Sequence, residues 1–113
     1  MIYLDNAGTT RVSDIVLESM KPFYTEVYGN ASSLHSFGQE AKEHLESARQ
    51  TIADCINADA EEIYFTSGGS ESDNWAIASM AKYGALVNKK HIITSKIEHH
   101  AILESCETLE RQG

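Results

Sequence analysis

Between positions 38 and 56 the apolar residues Ala41, Leu45, Ala48, Ile52 and Ile56 recur at steps of three and four, while Glu40, Lys42, Glu43, Glu46 and Arg49 fall off that stripe. This period predicts an amphipathic helix over 38–56, with the charges as its solvated face. Upstream, 13–28 predicts a second helix, capped by Ser13, with Asp14 in its first turn and a bend at Pro22; Gly29-Asn30 then breaks it. Ile63, Tyr64, Phe65 and Thr66 are β-branched or aromatic in one run, which predicts a short strand. A helix over about 71–87 follows, carrying Ala76, Ile77, Met80 and Ala81 inward, with Trp75 and Met80 read as core. The polar break Asn88-Lys89-Lys90 leads to a second strand over 91–95 and a last helix over about 99–112, with Gly113 placed as its stop.

The order strand, helix, strand, helix favours an α/β fold with a mostly parallel sheet and right-handed crossovers. In such sheets ligands bind beyond the carboxyl ends of the strands, where both the Gly68-Gly69 turn and the Glu98-His99-His100 turn would lie. Two parallel strands make a poor core, because sheets of this kind need helices on both faces and several more strands. The 113 residues are therefore expected to be the front part of a longer protein and, alone, to be marginal, self-associating or partly molten. No repeat, linker or low-complexity tract divides them.

Composition narrows the partners. With 42% hydrophobic and 23% charged residues the chain has the balance of an ordinary globular protein. Its formal net charge of -8 argues against a nucleic-acid backbone or an anionic membrane surface as partner. The start, MIYLDNAGTT, has neither a basic flank nor a long apolar stretch, so no signal or transit peptide is read there, no membrane span follows, and the expected compartment is the cytoplasm. Cys55 and Cys106 stand far apart in no C-x-x-C arrangement, which indicates neither a disulfide framework nor a zinc site; both are read as buried packing thiols.

The chemistry gathers at EIYFTSGGSESDNWAI, positions 62–77. A strand, a Gly-Gly turn and a helix opening at Ser70 as its N-cap would aim unpaired N–H groups, the positive end of the helix dipole and a hydroxyl at one small volume, suited to a phosphate. The alternative is that such a turn serves tight packing alone. A nucleotide P-loop is excluded because Ser70 stands where its lysine must be. A nucleophile elbow is excluded because Ser72 stands where its last glycine must be. His99 and His100 open the next helix, so one imidazole could face the same edge, offering a flat surface and a proton acceptor to an aromatic cofactor. The alternative there is a pair of surface polar residues. The spacing of two histidines four apart that a zincin needs is missing, and no metal site is expected.

Taken together, YLDNAGTT (3–10), YGNASSLHSFG (28–38), ARQTIA (48–53), FTSGGSESDNWAI (65–77) and HIITSKIEHHAILESCETLE (91–110) make the chain resemble the front part of the NifS/IscS-like cysteine desulfurases, pyridoxal-phosphate-dependent enzymes of the class V aminotransferases. The resemblance runs end to end. It implies an incomplete fold-type-I large domain, with 1–35 as an N-terminal segment and the remainder as the start of the cofactor-binding domain. It implies that Gly69 and Ser70 hold the phosphate of pyridoxal 5'-phosphate, with Ser70 where the family more often has threonine. It implies that His99 stacks on the pyridine ring and takes part in acid–base steps, His100 being the lesser neighbour. The family reaction takes sulfur from L-cysteine, leaving L-alanine and an enzyme persulfide that passes to a sulfur acceptor or iron–sulfur scaffold protein, in a homodimer. Gly8 and Ala31 depart from the usual alanine and proline, softening two loops.

By the same resemblance the Schiff-base lysine, the sulfur-accepting loop cysteine, the acidic partner of the pyridine nitrogen and the substrate arginine lie further along. None of Lys21, Lys42, Lys82, Lys89, Lys90, Lys96, Cys55 or Cys106 stands in a matching context. The chain alone is therefore expected to bind the cofactor weakly or not at all and to leave cysteine unreacted. Two other readings stay open: a different class V enzyme, such as an aminotransferase or a selenocysteine-directed lyase, and a catalytically inactive interaction module.

Overall fold

The computed structural model describes residues 2–113, which separate into two compact units, one ending at Ile63 and one running from Tyr64 to Gly113.

In the first unit, the Tyr3 hydroxyl donates to the carbonyls of Asp5 and Thr9 and closes the N-terminal turn. Helix α1 (Asp14–Met20) begins at Ser13, whose hydroxyl accepts from the Val16 amide. The helix expected over 13–28 is divided and shorter: α2 (Pro22–Thr25) starts at Pro22, and the helical backbone ends three residues before Tyr28. The physical reason is local. Proline fits the first helical position, where its missing N–H is not needed, but it removes the hydrogen bond that would have carried α1 through.

Helix α3 (Ser36–Ile56) follows the apolar stripe and begins two residues earlier than its periodicity suggested, because His35 acts as N-cap through Nδ1, which accepts from the Gly38 amide at 3.3 Å. Asn57, in the left-handed region at φ 54°, ends it. Gly38 is needed for contact, since a Cβ there would lie 2.5 Å from the Ser33 carbonyl oxygen. Phe23 of α2 meets the His44 ring edge-on at 5.1 Å, and Arg49 of α3 pairs with Glu46 while donating to the Ile63 carbonyl.

The second unit holds α4 (Gly69–Leu86) and α5 (His100–Gln112), packed against each other. Ser105 donates to the Asn74 side-chain oxygen, and Lys90, beyond the end of α4, donates to the Gly113 carbonyl, beyond the end of α5, at 3.3 Å. Asn74 and Ser105 stand equally far into their helices. The two links occur in the same order along both helices, so α4 and α5 run side by side in the same sense with their N-termini level.

The sheet is the main departure. Among the described residues no strand is formed, either at 63–66 or at 91–95. Ile63 has extended backbone (φ -95°, ψ 121°), but an extended segment becomes a strand only when a neighbour takes up its N–H and C=O groups. The apolar side chains that a sheet would have covered stay exposed, including Tyr64, Phe65, Ile92 and Ile93. Trp75 and Met80, expected in the core, are 50% and 65% exposed, and Cys55 of the first unit, expected buried, is exposed. Ala53 is the single fully buried apolar residue among those described. Among the described residues no helix is long and apolar enough to cross a membrane.

Candidate functional site

The start of α4 is built by two side-chain links that reach backwards over the glycines. Thr66 Oγ1 shares a hydrogen bond with Ser72 Oγ at 2.7 Å and donates to the Gly68 carbonyl at 3.1 Å. The Glu71 carboxylate accepts from the Ser67 N–H at 2.6 Å and from the Ser67 hydroxyl at 2.7 Å. These links move the helix start two residues earlier than expected. Gly68, not Ser70, is the N-cap, and Ser70 is the second helical residue. The correction has a chemical consequence, because a capping serine spends its oxygen on the helix. The Ser70 hydroxyl and the N–H groups of Gly69, Ser70 and Glu71 have no partner among the described residues and remain open to an external anion.

The glycines also fit an external ligand. Neither has backbone in the left-handed region, and a Cβ added to Gly68 or Gly69 would meet nothing within 4 Å. Within this chain, then, neither conformation nor packing calls for glycine at these positions, unlike Gly38. What the missing side chains leave is room for a group to come close to the backbone.

His99 is the N-cap of α5: its Nδ1 accepts from the Ala101 amide at 3.1 Å. With Nδ1 so engaged, the neutral ring carries its proton on Nε2 and presents a donor there. The sequence had suggested an acceptor. The His100 ring lies 6.4 Å away at 70° and starts the helix. Since the N-termini of α4 and α5 are level, Gly69, Ser70 and His99 belong to one end of the second unit.

The sequence reading gives Glu71 and Ser67 no part in the site, and uses Thr66 only as a strand residue and Ser72 only to exclude a nucleophile elbow. The usual capping signature is absent, because the N-cap is a glycine and Glu71 reaches Ser67, one residue before it. Ser67 N–H first, and its hydroxyl second, hold the Glu71 carboxyl below the usual carboxylate range. A lowered value means the folded turn binds the proton less well than the unfolded chain does. The link is therefore complete above the usual range and is lost as the pH falls through the lowered value. Protection of the Ser67 amide against hydrogen exchange, corrected for the intrinsic rate, is expected to stay flat from neutrality down to the usual carboxylate range and to fall only below it. Loss of protection already near neutrality would contradict this.

Comparison with known proteins gives a consistent picture. The Aminotransferase class-V family profile matches residues 2–113. The cysteine desulfurase IscS of Dictyoglomus turgidum is 52% identical over 112 residues, covering 99% of this chain and 28% of its own length. That of Methanosarcina thermophila is 50% identical with the same coverage. Among solved structures, a NifS-like protein superimposes with a TM-score of 0.90 at 44% identity, covering 99% of this chain and 30% of its own. A structure described as SspA in complex with cysteine gives 0.88 at 43% identity, covering 98% and 32%. The chain thus spans less than a third of the length of these relatives, and over that span its fold is theirs.

Proposed function

Because this chain belongs to the class-V aminotransferase family, we propose that it supplies the N-terminal part of the pyridoxal 5'-phosphate site of a cysteine desulfurase, with 1–35 as its N-terminal segment and the rest as the start of the large cofactor-binding domain. The sheet of that domain would form when further strands pair with 63–66 and 91–95. The observation that carries the reading is the exposed, unobstructed backbone at Gly68 and Gly69, where an added Cβ would meet nothing within 4 Å, at the same end of the unit as the helix start that holds His99.

On this reading the Gly69 and Ser70 amides, the Ser70 hydroxyl and the positive end of the α4 dipole grip the cofactor phosphate. The cofactor, when bound, supplies an electron sink for bonds to the substrate carbon. His99 offers the face of its ring and holds a proton at Nε2, while the Ala101 amide fixes the ring's orientation through Nδ1. The substrate would be L-cysteine, the products L-alanine and an enzyme persulfide. The lysine that holds the cofactor, the cysteine that accepts sulfur and the acidic and arginine partners would come from sequence beyond the matched span. A homodimer and a sulfur acceptor or iron–sulfur scaffold protein complete the proposal.

The test is a hybrid protein joining residues 1–113 to the unmatched remainder of the Dictyoglomus relative. Loaded with pyridoxal 5'-phosphate, it is expected to form L-alanine from L-cysteine. A folded, cofactor-loaded hybrid that forms none would refute the reading.

A further inference from the structure

The turn that would receive the phosphate is made of residues with little rigidity of their own. Gly68 and Gly69 have no side chains, and no neighbour lies within 4 Å of where their Cβ atoms would be. Left alone, such a turn samples many backbone states, and ordering it on binding costs affinity. Two side-chain links span it. One is the hydroxyl pair of Thr66 and Ser72 at 2.7 Å. The other is Glu71, whose single carboxylate oxygen Oε2 takes both donors of Ser67, the residue immediately before the glycines.

We propose that Glu71 is a positioning residue for the phosphate turn: by tying Ser67 N–H and Oγ–H to the first turn of α4, its carboxylate fixes the backbone between Thr66 and Ser70 with the Gly69 and Ser70 amides open toward the anion. This rests on the phosphate reading given above.

A carboxylate near an anion site has an opposite possible effect, since its charge repels a phosphate dianion. The geometry favours positioning. The charge is met by two donors at 2.6 and 2.7 Å, both on Ser67, and neither belongs to the Gly69 and Ser70 groups assigned to the ligand. Charge-assisted hydrogen bonds of this length are the strong ones, and a charge so partnered acts less on its neighbours. The acidic group in the first turn also favours the helix through its dipole, so the same residue supports both the helix and the turn before it.

The experiment titrates the isotope-labelled, cofactor-free hybrid of residues 1–113 with the remainder of the Dictyoglomus relative, using inorganic phosphate and pyridoxal 5'-phosphate and following the amide resonances of Ser67, Gly69 and Ser70. Glu71→Ala is expected to weaken the response at Gly69 and Ser70 by roughly tenfold. Glu71→Gln keeps an acceptor oxygen and is expected to fall between Glu71→Ala and the unaltered hybrid. Ser67→Ala removes one of the two donors from the other side and is expected to weaken binding less than Glu71→Ala. Combined with Glu71→Ala, it should add less than its separate effect, because both break one link. Helical shifts along the rest of α4 serve as the control. If Glu71→Ala unfolds α4, Glu71→Gln and Ser67→Ala decide the matter.

Equal or tighter phosphate binding in Glu71→Ala or Glu71→Gln would overturn the positioning role and make the carboxylate a bystander or a competitor. An unaltered, folded hybrid whose Gly69 and Ser70 amides do not respond to phosphate at all would overturn the phosphate reading itself, and the inference with it. Response in the unaltered hybrid with no change in any variant would remove the inference alone.

Discussion

His99→Asn, placed in the hybrid with the remainder of the Dictyoglomus relative, is expected to lower L-alanine formation by about 10²–10⁴-fold while leaving α5 intact. The two halves of that expectation come from two functions of one ring. As N-cap, His99 satisfies the Ala101 amide through Nδ1. Asparagine is among the best capping residues and can take over that role with its side-chain oxygen. It has no flat ring to lie against a cofactor and no titrating proton, and a positioned acid or base contributes about 10²–10⁴-fold to rate. His99→Ala should show the same loss of rate together with about 1 kcal/mol of lost helix stability. Measuring turnover, cofactor absorbance and α5 helicity on the three proteins separates the roles. If His99→Asn retains most of the activity, the ring has no part in the chemistry and His99 is a helix cap only.

Gly69→Leu is expected to abolish the phosphate response and to change stability by no more than about 0.5 kcal/mol. In most turns a bulky substitution for glycine fails because of strain or collision. Here the backbone lies outside the left-handed region and a Cβ meets nothing within 4 Å, so the chain itself has no objection to the side chain. As a first helical residue, leucine is a better helix former than glycine. The cost falls wholly on whatever approaches from outside. Forcing a side chain into occupied space costs about 1–3 kcal/mol, on the order of a ten- to hundredfold loss of affinity. Urea unfolding and phosphate titration of the cofactor-free hybrid, with and without the substitution, provide the two readings. Unchanged phosphate binding would mean that the space over Gly69 is solvent, and the opening would lose its meaning as a site.

How much of the molecule was legible beforehand differs from element to element. The stripe from Ala41 to Ile56 specified α3 within two residues of its start, and its last residue was placed correctly, since helix periodicity is carried by neighbours three and four apart. The Ser13 cap and the effect of Pro22 were equally local, although the strength of the proline break was underestimated and α2 stops at Thr25. At the candidate site the glycine pair and His99 were picked out by residue type, but their roles within the helix starts were not. Ser70 was assigned the cap that Gly68 holds, because the cap position depends on which way Glu71 and Ser72 reach. His99 was assigned an acceptor's role, and its Nδ1 turned out to be taken by its own helix.

By itself, then, the sequence determined where helices form and which residues could meet an anion or an aromatic ring, because those properties depend on side chains within a turn or two of each other. Only the tertiary structure decided that α4 and α5 run level in the same sense, through Asn74 to Ser105 and Lys90 to Gly113. It alone also decided that 63–66 and 91–95 form no strand among the described residues. The reason is physical: a helix satisfies its backbone within itself, whereas a strand and the core it covers need partners distant in sequence, and local pattern carries no record of whether those partners are there.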